Sequence, residues 1–202
     1  MLVFIVQFFS AAHAQTITYG AEGGLNLSGA RATGQDGVVF HGTPGVRFSL
    51  GGFADIGLKD SIWSIQPKLF FSREAYTPNI FGDKTPFAIS FLTLPIPVVY
   101  HSSLAGKKLS FGLGPYLCYV ISGKYTYDGH TTKLALGSNS TVDDGKHFDA
   151  GLDAMVGYQL QDNLSLRARL DWGLTQDSAD PSFDKVWTRN FGITCAYTLG
   201  QK

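Results

Sequence analysis

The sequence lacks an excess of charge of either sign and has no long apolar run. It carries 16 Lys or Arg and 16 Asp or Glu side chains among its 202 residues. Contacts to nucleic-acid phosphates need clustered lysine and arginine, so the composition gives no case for a nucleic-acid partner. No stretch approaches the roughly 18 apolar residues of a membrane-spanning helix. With 24 glycines and 44% hydrophobic residues, the chain fits a single β-domain and is not compositionally disordered.

Cysteine is also scarce, since Cys118 and Cys195 are the only two. In an exported protein, two cysteines would suggest a disulfide. The residue alternation described below turns Cys118 inward and Cys195 outward, on strands that are not neighbours in sequence, so we expect no bridge. No Cys-x-x-Cys spacing or Cys/His cluster indicates a metal site, and we expect both cysteines to act as small apolar side chains. The sequence predicts no cofactor.

The first residues follow the pattern of an export signal. A short apolar core, Leu2 to Phe9, is followed by Ala12-His13-Ala14, in which small residues flank one arbitrary residue. This pattern predicts a signal peptide over residues 1–14, cleaved after Ala14, and a β-barrel domain over residues 15–202. The positively charged start typical of such signals is missing, so either the true start lies upstream or the signal is weak. A buried first strand is the alternative.

The most informative pattern is an alternation of apolar and polar residues between Phe148 and Leu174. Successive side chains of a strand point to opposite faces, so this segment predicts a hairpin with one apolar and one polar face. Its bulky residues share one face: Phe148, Leu152, Val156, Tyr158, Leu160, Leu164, Leu166, Leu170, Trp172 and Leu174. The other face mixes glycine with Asp and Arg, which suits a narrow hydrated or ion-paired lumen. The pattern is therefore typical of a transmembrane β-barrel with its apolar side outward.

Similar segments recur along the whole chain. The predicted strands are Thr16–Ser28, Gly45–Leu58, Ile62–Tyr76, Phe87–Tyr100, Leu109–Ser122, Phe148–Leu160, Leu164–Gln176 and Trp187–Leu199. Each exceeds the roughly 9–11 residues that cross a bilayer as a tilted strand. The connections alternate between short and long. We therefore predict an all-β, eight-stranded antiparallel up-and-down transmembrane β-barrel in the outer membrane of a Gram-negative bacterium, with both termini periplasmic. Pro95 and Pro97 each remove a donor from the sheet, which predicts a bulge near Pro95.

The inward-facing positions collect charged residues of both signs. They are Glu22, Arg47, Asp55, Lys68, Glu74, Asp149, Asp153, Arg167, Arg169 and Asp171. An eight-stranded barrel leaves an interior just wide enough for side chains to fill it. Because isolated buried ions are costly, we expect an ion-pair and hydrogen-bond network that holds the lumen shut. The alternative is a conduction or ligand path lined by these charges.

The outward-facing aromatic residues are predicted to gather near the two ends of the strands. Those near the periplasmic boundary are Tyr19, Trp63, Tyr100, Tyr158 and Tyr197, and those near the outer boundary are Phe71, Tyr119, Phe148, Trp172 and Phe191. Amphipathic rings prefer the headgroup level, so two aromatic girdles are expected for a barrel that spans the membrane. This pattern makes outer-membrane lipid the first expected partner.

Evidence for chemistry is weak. No Gly-x-Ser-x-Gly motif surrounds any serine, and His41, His130 and His147 fall in or beside long loops while His101 falls at a turn. We therefore predict a non-catalytic membrane scaffold that presents surface loops. A lipid-modifying enzyme and a small-solute pore are the alternatives. The longest connection, Gly123 to His147, is the expected contact surface for envelope protein partners, because binding usually resides on loops of a rigid scaffold.

Several motifs resemble the PorT-like outer-membrane β-barrel family of Bacteroidetes-type bacteria. They are Leu92 to Tyr100 with its Ile-Pro pair, the Gly-Pro-Tyr strand from Phe111 to Leu117, Asp149-Ala150-Gly151, Leu166 to Leu174, and Gly24-Leu25-Asn26. The resemblance covers about Thr16 to Leu199. It departs from the family at Val99, where a lysine is usual, at Thr93, where glutamate is common, and at the C-terminus, which lacks a final aromatic residue. The resemblance implies an outer-membrane location and an eight-stranded barrel. By analogy it implies an accessory role in envelope protein secretion.

Overall fold

The computed structural model describes residues 16–34, 39–41, 43–58, 62–77, 79–80, 83–102, 108–137, 147–175 and 183–201. The predicted signal peptide lies outside these residues. The strands are β1 (Ile17–Gly34), β2 (Val39–His41), β3 (Thr43–Gly57), β4 (Trp63–Ile65), β5 (Lys68–Thr77), β6 (Asn79–Ile80), β7 (Asp83–Lys84), β8 (Phe87–Pro95), β9 (Val98–His101), β10 (Leu109–Tyr127), β11 (His130–Lys133), β12 (Phe148–Gln161), β13 (Leu164–Gly173) and β14 (Phe183–Gln201). The described part of the chain contains no helix long and apolar enough to cross a membrane.

Eight antiparallel segments of the wall, each a single strand or two strands in line and here called staves, close into a barrel. Six staves are the single strands β1, β3, β10, β12, β13 and β14, and two are composite, β4 with β5 and β8 with β9. The ring closes where β1 pairs with β3, from Ile17↔Ile56 to Ser28↔Gly45, so the staves leave no open sheet edge. The predicted eight-stranded antiparallel barrel is confirmed.

The two faces of the barrel wall have the polarity expected for a lipid-facing surface. Leu50, Leu113 and Leu117 are between 57% and 62% exposed, while Glu22 and Lys68 are each 1% exposed. This is the reverse of a soluble protein, in which large apolar side chains are buried and charges are exposed. The alternation also holds for the cysteines, because Cys118 is buried, Cys195 is exposed, and no disulfide joins them.

Several strands run further than predicted at the end that carries the long connections, here called the long-loop end. β1 continues past Ser28 to Gly34 because β14 starts at Phe183 and pairs with it along this extension. The continued pairing gives these backbone groups partners that a loop would not supply. β13 instead ends at Gly173, short of the predicted Gln176.

The predicted loop from Gly123 to His147 begins as a hairpin, which corrects the prediction over its first part. β10 extends to Tyr127 and β11 returns from His130, paired from Tyr127↔His130 to Lys124↔Lys133. Asp128 and Gly129 make the turn with φ values of 46° and 73°. An Asp-Gly pair with both φ values positive is the preferred two-residue hairpin turn.

The predicted bulge near Pro95 is wrong. β10 pairs with Pro95 at Tyr116 and with Val98 at Leu113, so the register is the same on both sides of the gap between β8 and β9. The staves are held there by proline carbonyls, which still accept when the ring nitrogen cannot donate. Ala54 N donates to Pro67 O at 3.0 Å, Gln66 N to Pro97 O at 2.9 Å, and Ile96 N to Pro115 O at 2.9 Å. The bulge of this region lies in β10, between Val120 and Ser122.

Candidate functional site

The centre of the lumen is organised around the carboxylate of Glu22. It accepts hydrogen bonds from Arg167 Nη1 at 2.5 Å and from Thr194 Oγ1 at 2.6 Å, and Lys68 Nζ lies 3.5 Å away. Lys68 Nζ also lies 3.1 Å from the sulfur of Met155. These contacts join five staves across the interior. A buried carboxylate is tolerated only when it is paired in this way.

A second cluster lies around Arg169. Its Nε and Nη2 donate to one oxygen of Asp153 at 3.1 and 2.9 Å, and Nη2 also donates to Asp171 at 3.1 Å. The Asn190 side chain donates to the other oxygen of Asp171 at 3.0 Å. The guanidinium lies 4.4 Å from the ring centroid of Phe70, and that of Arg167 lies 4.6 Å from Phe53. The arginines are thus paired at their edges and covered by rings on their faces, which fills the bore.

Two carboxylates of the predicted network contact hydroxyl, amide or imidazole groups instead of lysine or arginine. Asp149 accepts from the hydroxyl of Tyr116 at 2.7 Å and from that of Thr175. Asp55 accepts from Gln66 Nε2 at 2.9 Å and lies 3.6 Å from His101 Nε2. Both carboxylates therefore take part in the lumen network through hydrogen bonds, with partners that depend on the neighbouring staves.

Arg47 and Glu74 lie in staves, opposite Asn26 and Ile89 respectively. Their side chains lie outside the described part of the structure. Within the described residues, four buried polar atoms have no protein partner: Asp55 Oδ1, Gln66 Oε1, Asp153 Oδ1 and Arg167 Nε. Groups of this kind in a polar interior are expected to be hydrated.

One cluster at the end with short turns was missed by the sequence interpretation. Ser64 Oγ lies 2.9 Å from His101 Nε2, and Asp55 Oδ2 approaches the same nitrogen. A Ser-His-Asp relay requires the serine and the carboxylate on opposite ring nitrogens. The observed geometry does not provide it. The signal available in the sequence was the polar parity of Ser64 and Gln66, whereas His101 was predicted to lie at a turn, outside the strands.

Possible metal ligands do not gather in the described part of the chain. Across its described ranges, no group of three or more His, Cys, Asp or Glu side chains is close enough to hold an ion.

The outward aromatic residues form rows that follow the strand register. At the short-turn end Trp63 pairs with Tyr100, which pairs with Phe111, and the rings of Trp63 and Tyr100 are 5.0 Å apart. At the long-loop end Phe71, Leu92, Tyr119 and Phe148 are successive register partners on adjacent staves. From Phe111 to Tyr119 the strand covers about 26 Å, or about 20 Å of height at a tilt of about 40°.

The remaining predicted girdle residues also lie on the outer face. Tyr19, Tyr158, Trp172, Phe191 and Tyr197 are each between 42% and 49% exposed. Arg189 lies over the Trp172 ring at 5.0 Å. Sequence interpretation missed Phe48, which lies 6.3 Å from Phe71, and Phe111, which completes the row with Tyr100. The exposed apolar wall between the rows has the extent of a membrane-spanning band.

A closed eight-stranded barrel with charge inside and an apolar wall outside defines an outer-membrane β-barrel protein. The chain belongs to the outer membrane protein beta-barrel domain family, whose model matches residues 13–177. The family places the protein in the bacterial outer membrane. The PorT-like branch is a finer assignment that this match does not make. No curated protein matches the sequence.

Solved structures of small outer-membrane proteins are similar in fold. Neisserial surface protein A, NspA, is 12% identical with a TM-score of 0.53, over 90% of this chain and 97% of that chain. Ail of Yersinia pestis is 11% identical with a TM-score of 0.49, over 91% and 99%. OprG from Pseudomonas aeruginosa is 10% identical with a TM-score of 0.49, over 92% and 95%. At these identities the likeness concerns the fold alone.

Proposed function

We propose that this protein is a non-catalytic, non-conducting outer-membrane scaffold that presents its long connections outside the cell. The observation that carries the proposal is the set of buried ion pairs in the lumen. Glu22 binds Lys68 and Arg167 of other staves, and Arg169 binds Asp153 of the neighbouring stave, which supports a lumen closed by its own side chains. An eight-stranded barrel has little interior volume beyond its own side chains.

The orientation belongs to the same proposal. Outer-membrane barrels have short periplasmic turns and longer extracellular connections. The start of β1 at Ile17 and the end of β14 at Gln201 lie at the short-turn end together with the Gln161–Leu164 connection. We therefore place both termini in the periplasm and the long-loop end outside.

The hairpin of β10 and β11 is the proposed contact surface for envelope protein partners. Its backbone pairing carries Tyr127 beyond the aromatic row of the long-loop end, where this side chain is 55% exposed, while the Tyr125 ring stacks on Phe87 at 5.7 Å. Tyrosine presents a large, rigid contact area at low entropic cost, which suits a binding surface. A paired hairpin also loses less conformational freedom on binding than an unstructured loop does.

The absence of catalysis is proposed from the cluster of Ser64, His101 and Asp55. Because hydroxyl and carboxylate compete for one imidazole nitrogen, the histidine cannot be oriented by one while it activates the other. The serine is also 2% exposed, which keeps it from a lipid substrate.

Reconstitution in planar bilayers tests the closed lumen. The purified protein is expected to give no discrete current steps, since the central ion pairs obstruct the bore. The double variant Glu22→Ala/Arg167→Ala, checked for folding by its heat-dependent gel mobility, removes two obstructing side chains and is expected to raise the current. Discrete steps from the unmodified protein would contradict the proposal.

A second candidate function is that of an accessory component of envelope protein secretion. It is favoured by the resemblance of Leu92–Tyr100 and Phe111–Leu117 to PorT-like motifs, which here form adjacent staves. Deletion of the gene is expected to reduce the export of secreted proteins, as measured by mass spectrometry of the culture medium. As the control, a copy of the gene supplied to the deletion strain is expected to restore this export. An unchanged set of exported proteins would remove this candidate.

A further inference from the structure

The outer face carries polar residues directly above the aromatic row of the long-loop end. In that row Phe71 pairs with Leu92, which pairs with Tyr119. The next outward row in register is Arg73, Ser90 and Ser122, on the same three staves. The register therefore places these three side chains at the level where hydrocarbon gives way to lipid headgroups.

Two lysines lie just beyond this row. Lys124 follows Ser122 on the outer face of β10 and is paired directly with Lys133 of β11. Both lysines are exposed. Because Gly123, next to Lys124, is buried, the alternation of the strand places Lys124 on the outer face. We call Arg73, Ser90, Ser122, Lys124 and Lys133 the basic patch.

Charge is sorted by face in the described staves. The carboxylates whose side chains are described there face the lumen: Glu22, Asp55, Asp149, Asp153 and Asp171. No described carboxylate lies among the register partners of the basic patch, which are Ala88 opposite Lys124 and Ser90 opposite Arg73. The charged members of the patch, Arg73, Lys124 and Lys133, are therefore exposed cations with no carboxylate among their described register partners.

The two lysines are held in an unfavourable arrangement unless an anion joins them. Like charges directly opposite each other on antiparallel strands are destabilising. The hairpin cannot relieve this by slipping, because the Asp128-Gly129 turn and the contact of Thr126 with Thr131 at 3.1 Å fix its register. An anion between Lys124 and Lys133 would convert the repulsion into two charge-assisted hydrogen bonds.

We propose that the basic patch binds the phosphate headgroup of a phosphorylated lipid in the outer leaflet. This inference rests on the proposed orientation. The ligand must have acyl chains, because the surface below the patch is the apolar wall of Phe71, Leu92 and Ile121. It must also have an anionic head, because the patch itself carries Arg73 and the two lysines. Arg73 offers a planar fork to phosphate oxygens, the lysines offer point charges, and the two serines offer hydroxyl donors.

Native mass spectrometry of the detergent-solubilised protein tests the proposal. The probe is a diphosphorylated lipid A-type glycolipid, compared with the same glycolipid after enzymatic removal of its phosphates. The unmodified protein is expected to retain the phosphorylated form. The variant Arg73→Gln/Lys124→Gln/Lys133→Gln is expected to bind it at least about tenfold more weakly, since three charge-assisted contacts are lost. Equal retention by both proteins would overturn the proposal.

Three controls separate the alternatives. Lys108→Gln changes an exposed lysine at the short-turn end and is expected to leave retention unchanged. Excess inorganic phosphate is expected not to displace the lipid, and complete displacement would overturn the lipid assignment. Labelling of Asp128→Cys by an impermeant maleimide in intact cells, in a Cys195→Ala background, tests the orientation alone. Absence of labelling would overturn the outer-leaflet assignment. The planar-bilayer experiment tests the closed lumen independently of the orientation.

Discussion

Changing Glu22 to glutamine is expected to destabilise the barrel by about 3 to 5 kcal/mol, the range for removal of one partner from a buried ion pair. Glutamine keeps the volume of the side chain but leaves the charges of Lys68 and Arg167 without their shared anion. The effect is measured as the free energy of unfolding in urea for protein folded into lipid vesicles, followed by tryptophan fluorescence.

The matched control for this change is Asp162→Asn, the same chemical replacement at an exposed turn between β12 and β13. It is expected to stay within about 0.5 kcal/mol of the unmodified protein. A double-mutant cycle with Arg167→Met measures the coupling directly. If Glu22→Gln were no more harmful than Asp162→Asn, the central cluster would not stabilise the barrel.

Placing an arginine on the lipid face at Leu117 is expected to cost about 1 to 3 kcal/mol, because this residue lies inside the apolar wall, one outward position from the row of Tyr119. Leu117 is 57% exposed, and in water such a position would accept a charge at almost no cost. Vesicle-based unfolding again gives the measurement.

The control for Leu117→Arg is Ser122→Arg, which places the same charge on the same strand but beyond the aromatic row. There the expected cost falls to about 0 to 1 kcal/mol, as for arginine near the bilayer interface. Equal costs at the two depths would show that the outer wall does not contact hydrocarbon.

The barrel itself could be predicted because a strand has the simplest possible pattern. Side chains alternate with a period of two, so a run such as Phe148 to Leu160 shows its own two faces without reference to the rest of the chain. Gly-rich inner positions and alternating connection lengths then led to a closed barrel of eight staves. No tertiary information was needed for that step.

The register and the partners of the lumen side chains could not be predicted in the same way. The interruption at Pro95 and Pro97 keeps its register only because Gln66-Pro67 interrupts the neighbouring stave at the same level. Likewise, the inward direction of Asp149 followed from parity, but its contact with Tyr116 depends on how β12 pairs with β10. Pairing is a property of two strands, and a single strand's pattern does not contain it.

The contacts of Glu22 also constrain how the molecule forms. Its partners Arg167 and Thr194 lie 145 and 172 positions further along the chain, on the last two staves. A partly assembled sheet therefore leaves this carboxylate with Lys68 alone of its two described cationic partners until the beginning and the end of the polypeptide meet. Ring closure and neutralisation of the interior take place together, so assembly of this barrel is expected to be cooperative.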